Sequence, residues 1–181
     1  MSRPPLAREK VLDAFEALLV VEGARAATMD ATAKAAGVSK GGLLYHFASK
    51  DALAAGIMER LVRLVDEDVA GMASAPDGPV AHFLRTSVME NDPLDRVILA
   101  TARLAQGGSA QAADALRDIR ERWAAAIRPA APEGAALDLV MLVSDGIYFN
   151  NSLAGGNIPG PVPRGPAMEA LIALVERAIR S

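Results

Sequence analysis

One stretch near the N-terminus, Thr28–Leu53, constrains this chain more than any other, because it predicts two short helices and the start of a third. Thr28, Ser39 and Ser49 each stand where a hydroxyl can cap a helix N-terminus. Gly37 can end the first helix in the left-handed conformation. Two short helices joined by a tight glycine-containing turn are typical of a helix-turn-helix.

The rest of the chain also predicts helices, so the expected fold class is all-α with about nine helices. An amphipathic helix ends at Gly23, and Pro4 and Pro5 are expected to delay its start. A helix of about six turns should run from Ser49 to Met72. Clusters of proline, glycine and asparagine then separate five further helices near residues 80–90, 94–105, 110–128, 134–154 and 166–180, with a long loop at 155–165.

We expect two domains, a helix-turn-helix domain at 1–50 and a helical ligand-binding and dimerisation domain at 51–181. The apolar stripe of the first helix needs a partner surface inside the small domain. The helix-turn-helix is expected to supply that surface through Ala33, Ala36, Val38, Leu43, Leu44 and Phe47.

Composition excludes several classes of function. The 181 residues include no cysteine, which excludes disulfides, thiolate metal sites and cysteine nucleophiles. The two histidines are far apart in sequence, and no phosphate loop or metal-ligand spacing supports an enzyme, a metal site or a cofactor. No signal segment or membrane-spanning run is found, so we expect a cytoplasmic protein with no membrane partner.

The distribution of charge indicates that any contact with phosphate is made near the N-terminus. The formal net charge of −3 argues against a protein that coats nucleic acid through bulk positive charge. Residues 1–50 nevertheless hold seven Lys and Arg against five acids, and they include all four lysines of the chain. The remaining residues carry a net charge of −5.

The second short helix of the stretch is the candidate DNA reader. Its first turn, Ser39, Lys40, Gly41 and Gly42, offers backbone N–H groups to phosphate and a lysine to a phosphate or a guanine edge. Glycine in a helix costs on the order of 1 kcal/mol relative to alanine, so two in succession need a reason. Either the backbone approaches the groove closely here, or this segment is a loop and forms no helix.

Three residues at the end of this helix and just beyond it are further candidates. Tyr45 and His46 can donate hydrogen bonds to phosphate oxygens, whereas Phe47 is assigned to the core. Lys50 follows the Ser49 cap, where an ammonium group and a helix N-terminus could hold one phosphate together. The alternative for Lys50 is an ordinary solvated lysine.

The run TMDATAKAAGVSKGGLLYHFASKDAL resembles the DNA-binding signature of the tetracycline-repressor (TetR) family of bacterial regulators, and the similarity covers about residues 8–55. Thr32 departs from the pattern, because the family usually has an aliphatic residue at this position. The resemblance implies DNA-contacting positions at Thr28, Ser39, Lys40, Gly41, Tyr45, His46 and Lys50.

Two C-terminal helices carry information about assembly. Residues 137–153 are apolar nearly all round, which suggests one face on the protein's own core and another on a partner subunit. The last helix has a long apolar stripe, which either covers its own core or joins the same interface. The resemblance implies a homodimer through these two helices and a ligand pocket in the C-terminal domain.

The pocket candidates are polar, aromatic or methionine residues in apolar helices. For each of them an ordinary place in the core is the alternative. Asp145 and Tyr148 rank first, because a carboxylate in so apolar a helix is costly unless it is paired or used. The candidates are Phe83, Met89, Trp123, Met141, Asp145, Tyr148 and Phe149, together with Asn150 and Asn151.

The sequence therefore predicts a ligand-responsive, homodimeric DNA-binding regulator. The leading hypothesis is a repressor that a small, largely apolar effector releases from a palindromic double-stranded operator. The alternatives are an activator, or a ligand-binding or protein-interaction module that no longer binds an operator.

Overall fold

A computed structural model of the chain describes residues 4–131, 134–152 and 160–180, and these form nine α-helices without a strand, which confirms the predicted fold class. Among them, no helix combines the length and apolar character that a bilayer span requires. Part of the predicted loop at 155–165 lies outside the described residues. The helices are α1 Pro4–Glu22, α2 Met29–Ala36, α3 Lys40–His46, α4 Lys50–Ser74, α5 Pro79–Thr86, α6 Pro93–Gln106, α7 Ala110–Ile127, α8 Ala135–Ser152 and α9 Pro166–Arg180.

The predicted capping residues set the bounds of the short helices. The hydroxyls of Thr28, Ser39 and Ser49 each accept a hydrogen bond of 3.1 Å from the backbone N–H three residues later. Gly37 ends α2 with φ at 64°, a left-handed conformation that glycine adopts without strain. The alternative in which the Gly41–Gly42 segment forms no helix is wrong, since both residues lie within α3.

The start of α1 differs from the expectation. The helix begins at Pro4, so the two prolines do not delay it. A proline fits the first turn of a helix because its missing N–H would have no intrahelical partner there.

The described helices group into two compact units. The first unit contains the described residues up to Val65 together with Asn91–Ile119. The second contains Asp66–Glu90 and the described residues from Arg120 onward. Both α4 and α7 contribute residues to each unit, and the predicted division at residue 50 stays a prediction.

In the first unit, α1 packs against α2, α3 and α6. Phe15, Leu43 and Phe47 are fully or almost fully buried in its core. Gly56 lets α4 pass close to this core, since a Cβ atom at Gly56 would lie 3.1 Å from atoms of both Leu12 and Phe47.

Leu44 and Thr32 test two predictions about this core. Leu44 was expected to be buried, but 43% of it is exposed, because Leu43 and Phe47 occupy the inward face of α3 and Leu44 lies off that face. Thr32, the departure from the family pattern, is fully buried, and its hydroxyl donates a 2.8 Å hydrogen bond to the Thr28 carbonyl. The polar group is therefore satisfied in the core.

A buried carboxylate links three helices of the first unit. Glu16 of α1 is only 4% exposed, and it accepts hydrogen bonds from Arg60 of α4 at 2.9 Å and from Arg96 of α6 at 3.3 Å. Arg60 also pairs with Glu9 and Asp13. Burial lowers the pKa of Arg60, but hydrogen bonds to Glu9 and Glu16 outweigh this and raise it above the ordinary value.

In the second unit, α5, α8 and α9 pack together around an apolar core. The hydroxyls of Ser87 and Ser144 meet at 2.7 Å within it. Helix α8 is not enclosed by this unit, because Leu142 is 65% exposed and Phe149 is 59% exposed. The apolar character all round α8 therefore reflects an inner face on the core and an outer face open to solvent in the single chain.

Candidate nucleic-acid interface

Helix α3 separates its residues into an inward face and an outward face. Leu43 is buried on the inward face, and Phe47 is buried just after the helix ends. Lys40, Gly41 and Tyr45 are exposed, and a Cβ atom at Gly41 would meet no heavy atom within 4 Å. The outward face thus presents a cation, an uncovered stretch of backbone and an aromatic ring.

Tyr45 is the most exposed large side chain of the predicted DNA-contacting set. It is 82% exposed, and its ring meets the half-buried His46 ring edge-on with centroids 5.1 Å apart. The phenol and imidazole groups lie together at the C-terminal end of α3. Both groups can donate hydrogen bonds to phosphate oxygens.

The two predicted cations already have partners within the chain. Lys40 forms a 2.9 Å ion pair with Asp30 of α2, and both side chains are more than half exposed. The Lys50 ammonium donates a hydrogen bond to the carbonyl of Ala24, in the loop between α1 and α2. Exposed pairs contribute only about 0–1 kcal/mol, so a phosphate or a base can replace Asp30 at little cost.

The remaining members of the predicted set are Thr28, Ser39 and Gly42. Thr28 and Ser39 are exposed, but their hydroxyl oxygens already accept the capping hydrogen bonds. The Gly42 N–H is the donor to Ser39 and is therefore engaged as well. All eight predicted residues belong to one segment of the first unit, between Thr28 and Lys50.

The candidate ligand residues in the second unit fall into two groups. Phe83 and Met141 are 5% exposed, and the Phe83 ring lies 5.8 Å from the ring of Trp123, whose indole N–H donates to Asp68 at 2.9 Å. Met89 and Tyr148 are half-buried. These side chains lie in or beside the apolar core.

Asp145 and Phe149 lie on the exposed side of α8. The Asp145 carboxylate accepts a 2.6 Å hydrogen bond from Arg120. The reason for ranking Asp145 first no longer applies, because the carboxylate is both paired and open to solvent. Asn151 donates to the Met89 carbonyl at 3.0 Å and Asn150 to that of Pro161 at 3.2 Å.

Clefts among the described residues include one in each unit. A cleft of about 200 Å³ in the first unit is lined by charged residues of α1 and α4, including Arg8 and Arg60. A second of about 180 Å³ lies beside Arg85 and Met168. Neither cleft is lined by a predicted ligand residue. Within the described part of the chain, no group of three His, Asp or Glu side chains is arranged to hold a metal ion.

The described helices and the outward face of α3 define an all-helical protein with an N-terminal helix-turn-helix. Residues 11–57 match the model of the bacterial regulatory proteins of the tetR family, so this segment is a TetR-family domain and the resemblance is confirmed. The family that this model describes consists of regulatory proteins, in line with the prediction that the chain is not an enzyme. No curated protein matches the chain in sequence.

Solved structures share the fold over almost the whole chain. Salmonella enterica GusR superposes with a TM-score of 0.68 at 18% identity, covering 100% of this chain and 99% of GusR. A Rhodococcus sp. protein assigned to the TetR family gives 0.63 at 17% identity, with 97% and 99% covered. The multidrug-binding protein EbrR, in complex with imidazole, gives 0.55 at 19% identity, with 94% and 93% covered.

Sequence reasoning missed one residue of the outward face, Leu44. The signal was present in the spacing, because Leu43 and Phe47 are four residues apart and define one helix face by themselves. Leu44 lies four residues after Lys40 and therefore shares the outward side with it.

Proposed function

We propose that this protein is a homodimeric transcriptional repressor that binds a palindromic double-stranded operator through two copies of α3. A small, largely apolar effector releases it. It acts in the cytoplasm, where bacterial DNA is found. The observation that carries the proposal is the outward face of α3, where Lys40, Gly41 and Tyr45 are exposed beside one another.

The residues of this segment divide into two roles. Tyr45, His46 and Lys50 hold the phosphate backbone and set the register of the helix, without reading sequence. Lys40 reaches a base edge in the major groove after it leaves Asp30. The uncovered backbone at Gly41 allows α3 to lie close to the groove.

The outer faces of α8 and α9 supply the homodimer interface. Leu142, Phe149 and Leu174 are each more than half exposed in the single chain. Leu142 and Phe149 lie seven residues apart, which places them on one side of α8. A second copy related by two-fold symmetry buries this apolar surface, and two-fold dimers are the commonest oligomers.

The effector binds in the second unit, among Phe83, Trp123 and Met141, with Met89 and Tyr148 beside them. The paired rings of Phe83 and Trp123 and the buried Met141 offer an apolar environment. Asp145 and Phe149 are assigned to the dimer interface instead, because they lie on the exposed side of α8. An effector that favours the non-binding state by about 1–3 kcal/mol would weaken operator binding 5- to 150-fold.

The proposal is tested by selecting duplexes from a randomised pool with the full chain. We expect an inverted repeat to be recovered, and its affinity at about 0.15 M salt to exceed that of a base-shuffled copy by about a thousandfold or more. A pool that yields no enriched sequence would contradict the proposal.

A variant of α3 tests the assigned surface. Tyr45→Ala should weaken binding to the recovered duplex and to its shuffled copy by similar factors, since a phosphate contact carries no sequence information. Val21→Ala removes an exposed neutral side chain from the end of α1 and should leave both affinities unchanged. Fluorescence anisotropy measures all of these affinities. Equal losses in the two variants would contradict the assignment of the DNA-binding surface to α3.

A further inference from the structure

Leu44 is an exposed apolar side chain on a helix whose other apolar residue, Leu43, is buried. It is 43% exposed, whereas Leu43 is 0% exposed and the following Phe47 is 3% exposed. The core of the first unit therefore does not account for Leu44. An isolated exposed leucine is common on protein surfaces, so its position relative to its neighbours decides what it can do.

Those neighbours place Leu44 on the outward face of α3, the surface that the proposed function assigns to DNA. It follows Lys40 by four residues, which puts both side chains on one side of α3. Tyr45 follows Gly41 by the same spacing, and both are exposed. The outward face of α3 therefore carries two pairs of residues, Lys40 with Leu44 and Gly41 with Tyr45. Leu44 is the one large aliphatic side chain among these four residues.

The major groove offers one apolar group at a base edge, the C5-methyl group of thymine. A leucine cannot accept or donate a hydrogen bond, so this methyl group is the base feature that it can recognise. Resting on the proposed function, we propose that Leu44 is a specificity-determining residue that reads a thymine methyl group in each half of the operator.

The helix geometry places that thymine. Four residues of an α-helix span about 6 Å, and consecutive base pairs are separated by about 3.4 Å. With α3 lying along the groove, Lys40 and Leu44 contact bases about two pairs apart. The thymine should therefore lie within about two base pairs of the base that Lys40 reads.

The test removes the methyl group and the side chain separately and then together. Each thymine of the duplex recovered from the randomised pool is replaced, symmetrically in both half-sites, by deoxyuridine, which lacks only the methyl group. In the wild-type protein, one position should lose about fourfold in affinity per half-site, as burial of one methylene-sized group predicts. The Leu44→Ala variant should bind the unmodified duplex on the order of tenfold more weakly and lose nothing further at that position.

Two results would overturn the inference while leaving operator binding intact. One is a wild-type protein that is insensitive to deoxyuridine at every position. The other is a Leu44→Ala variant that loses the same factor as wild type at each position, which would mean that another residue contacts the methyl group. Failure to recover any duplex would instead overturn the proposed function together with the inference.

Two controls separate recognition from folding. Val21→Ala shortens another exposed apolar residue, 81% exposed at the end of α1, and should leave the deoxyuridine profile as in wild type. Circular dichroism should show the same helix content and melting temperature for Leu44→Ala and wild type, because Leu44 contributes little to the core. A Leu44→Ala variant that is substantially less stable would contradict the assignment of Leu44 to the DNA-facing surface.

Discussion

At the scale of single residues, Arg85 connects α5 to α9 through one carboxylate. Its guanidinium donates two hydrogen bonds of 2.9 Å to Glu169 and also pairs with Asp77. The hydrogen bonds from Arg85 and its positive charge lower the pKa of Glu169 below the ordinary value of 4.5. The same hydrogen bonding lowers the pKa of Asp77.

This arrangement gives a pH-dependent contribution to stability. Because the pKa of Glu169 is lower in the folded state, the unfolded chain binds more protons as the pH falls. The stabilisation is present above the ordinary pKa and is lost as the pH falls through the folded value. The melting temperature should therefore fall on acidification from about pH 5 to about pH 3, and the Glu169→Gln variant should show a shallower decrease.

Differential scanning calorimetry across this range measures the effect. Glu176→Gln is the matched control, since Glu176 lies on the same helix and its ion pair, at 3.4 Å, is a local one with Arg180. That variant should keep the wild-type slope. Identical slopes for wild type and Glu169→Gln would contradict a role for this carboxylate.

At the scale of elements, a substitution at Gly41 should affect the stability of α3 and its binding to DNA in opposite directions. No heavy atom lies within 4 Å of a Cβ atom built at this position. Gly41→Ala should therefore stabilise the protein by up to about 1 kcal/mol, because alanine favours the helix over the unfolded chain. The added methyl group should nevertheless weaken operator binding, since it stands between the backbone and the groove.

Thermal denaturation and anisotropy on the same samples distinguish the two effects. We expect a higher melting temperature together with a lower affinity. An alanine variant that is more stable and binds as tightly as wild type would show that the backbone does not approach DNA at Gly41.

The bounds of the helices were predictable because local chemistry sets them. Thr28, Ser39, Ser49 and Gly37 act through hydrogen bonds or backbone conformations within a few residues. The formation of α3 despite its two glycines is also a local matter, because Leu43 and Phe47 are spaced four residues apart, as one face of a helix requires.

The placement of individual side chains was less predictable, because it depends on residues far away in sequence. The contact of Lys50 with the carbonyl of Ala24 and the pairing of Asp145 with Arg120 each need the folded chain. The packing of α6 against α1 also joins segments that are distant in sequence. Hydrophobic periodicity identifies the apolar face of each helix but does not say which other helix covers it.

At the scale of the whole molecule, the outer face of α8 is the proposed homodimer interface. Leu142→Glu places a charge where 65% of the leucine is exposed in the single chain. If this face forms the homodimer, the variant should be a monomer by analytical ultracentrifugation at concentrations where wild type is a dimer. Its affinity for the inverted repeat should fall steeply, since one chain can occupy only one half-site at a time.

A matched variant checks that charge alone has no such effect. Leu6→Glu alters a leucine of α1 that is exposed to a similar extent, 63%, and it should remain a dimer. Wild-type protein that is a monomer at all concentrations would contradict the homodimer, and a Leu142→Glu variant that remains a dimer would place the interface elsewhere.

The most direct test of the central claim, that α3 makes this protein a sequence-reading operator binder, is an anisotropy titration of the full chain over a range of salt concentrations. The two ligands are the duplex recovered from the randomised pool and its base-shuffled copy. We expect both affinities to fall as salt increases, while a preference of about a thousandfold or more for the recovered duplex persists. Equal affinities with the same salt dependence would reduce the interaction to phosphate contacts and contradict the claim.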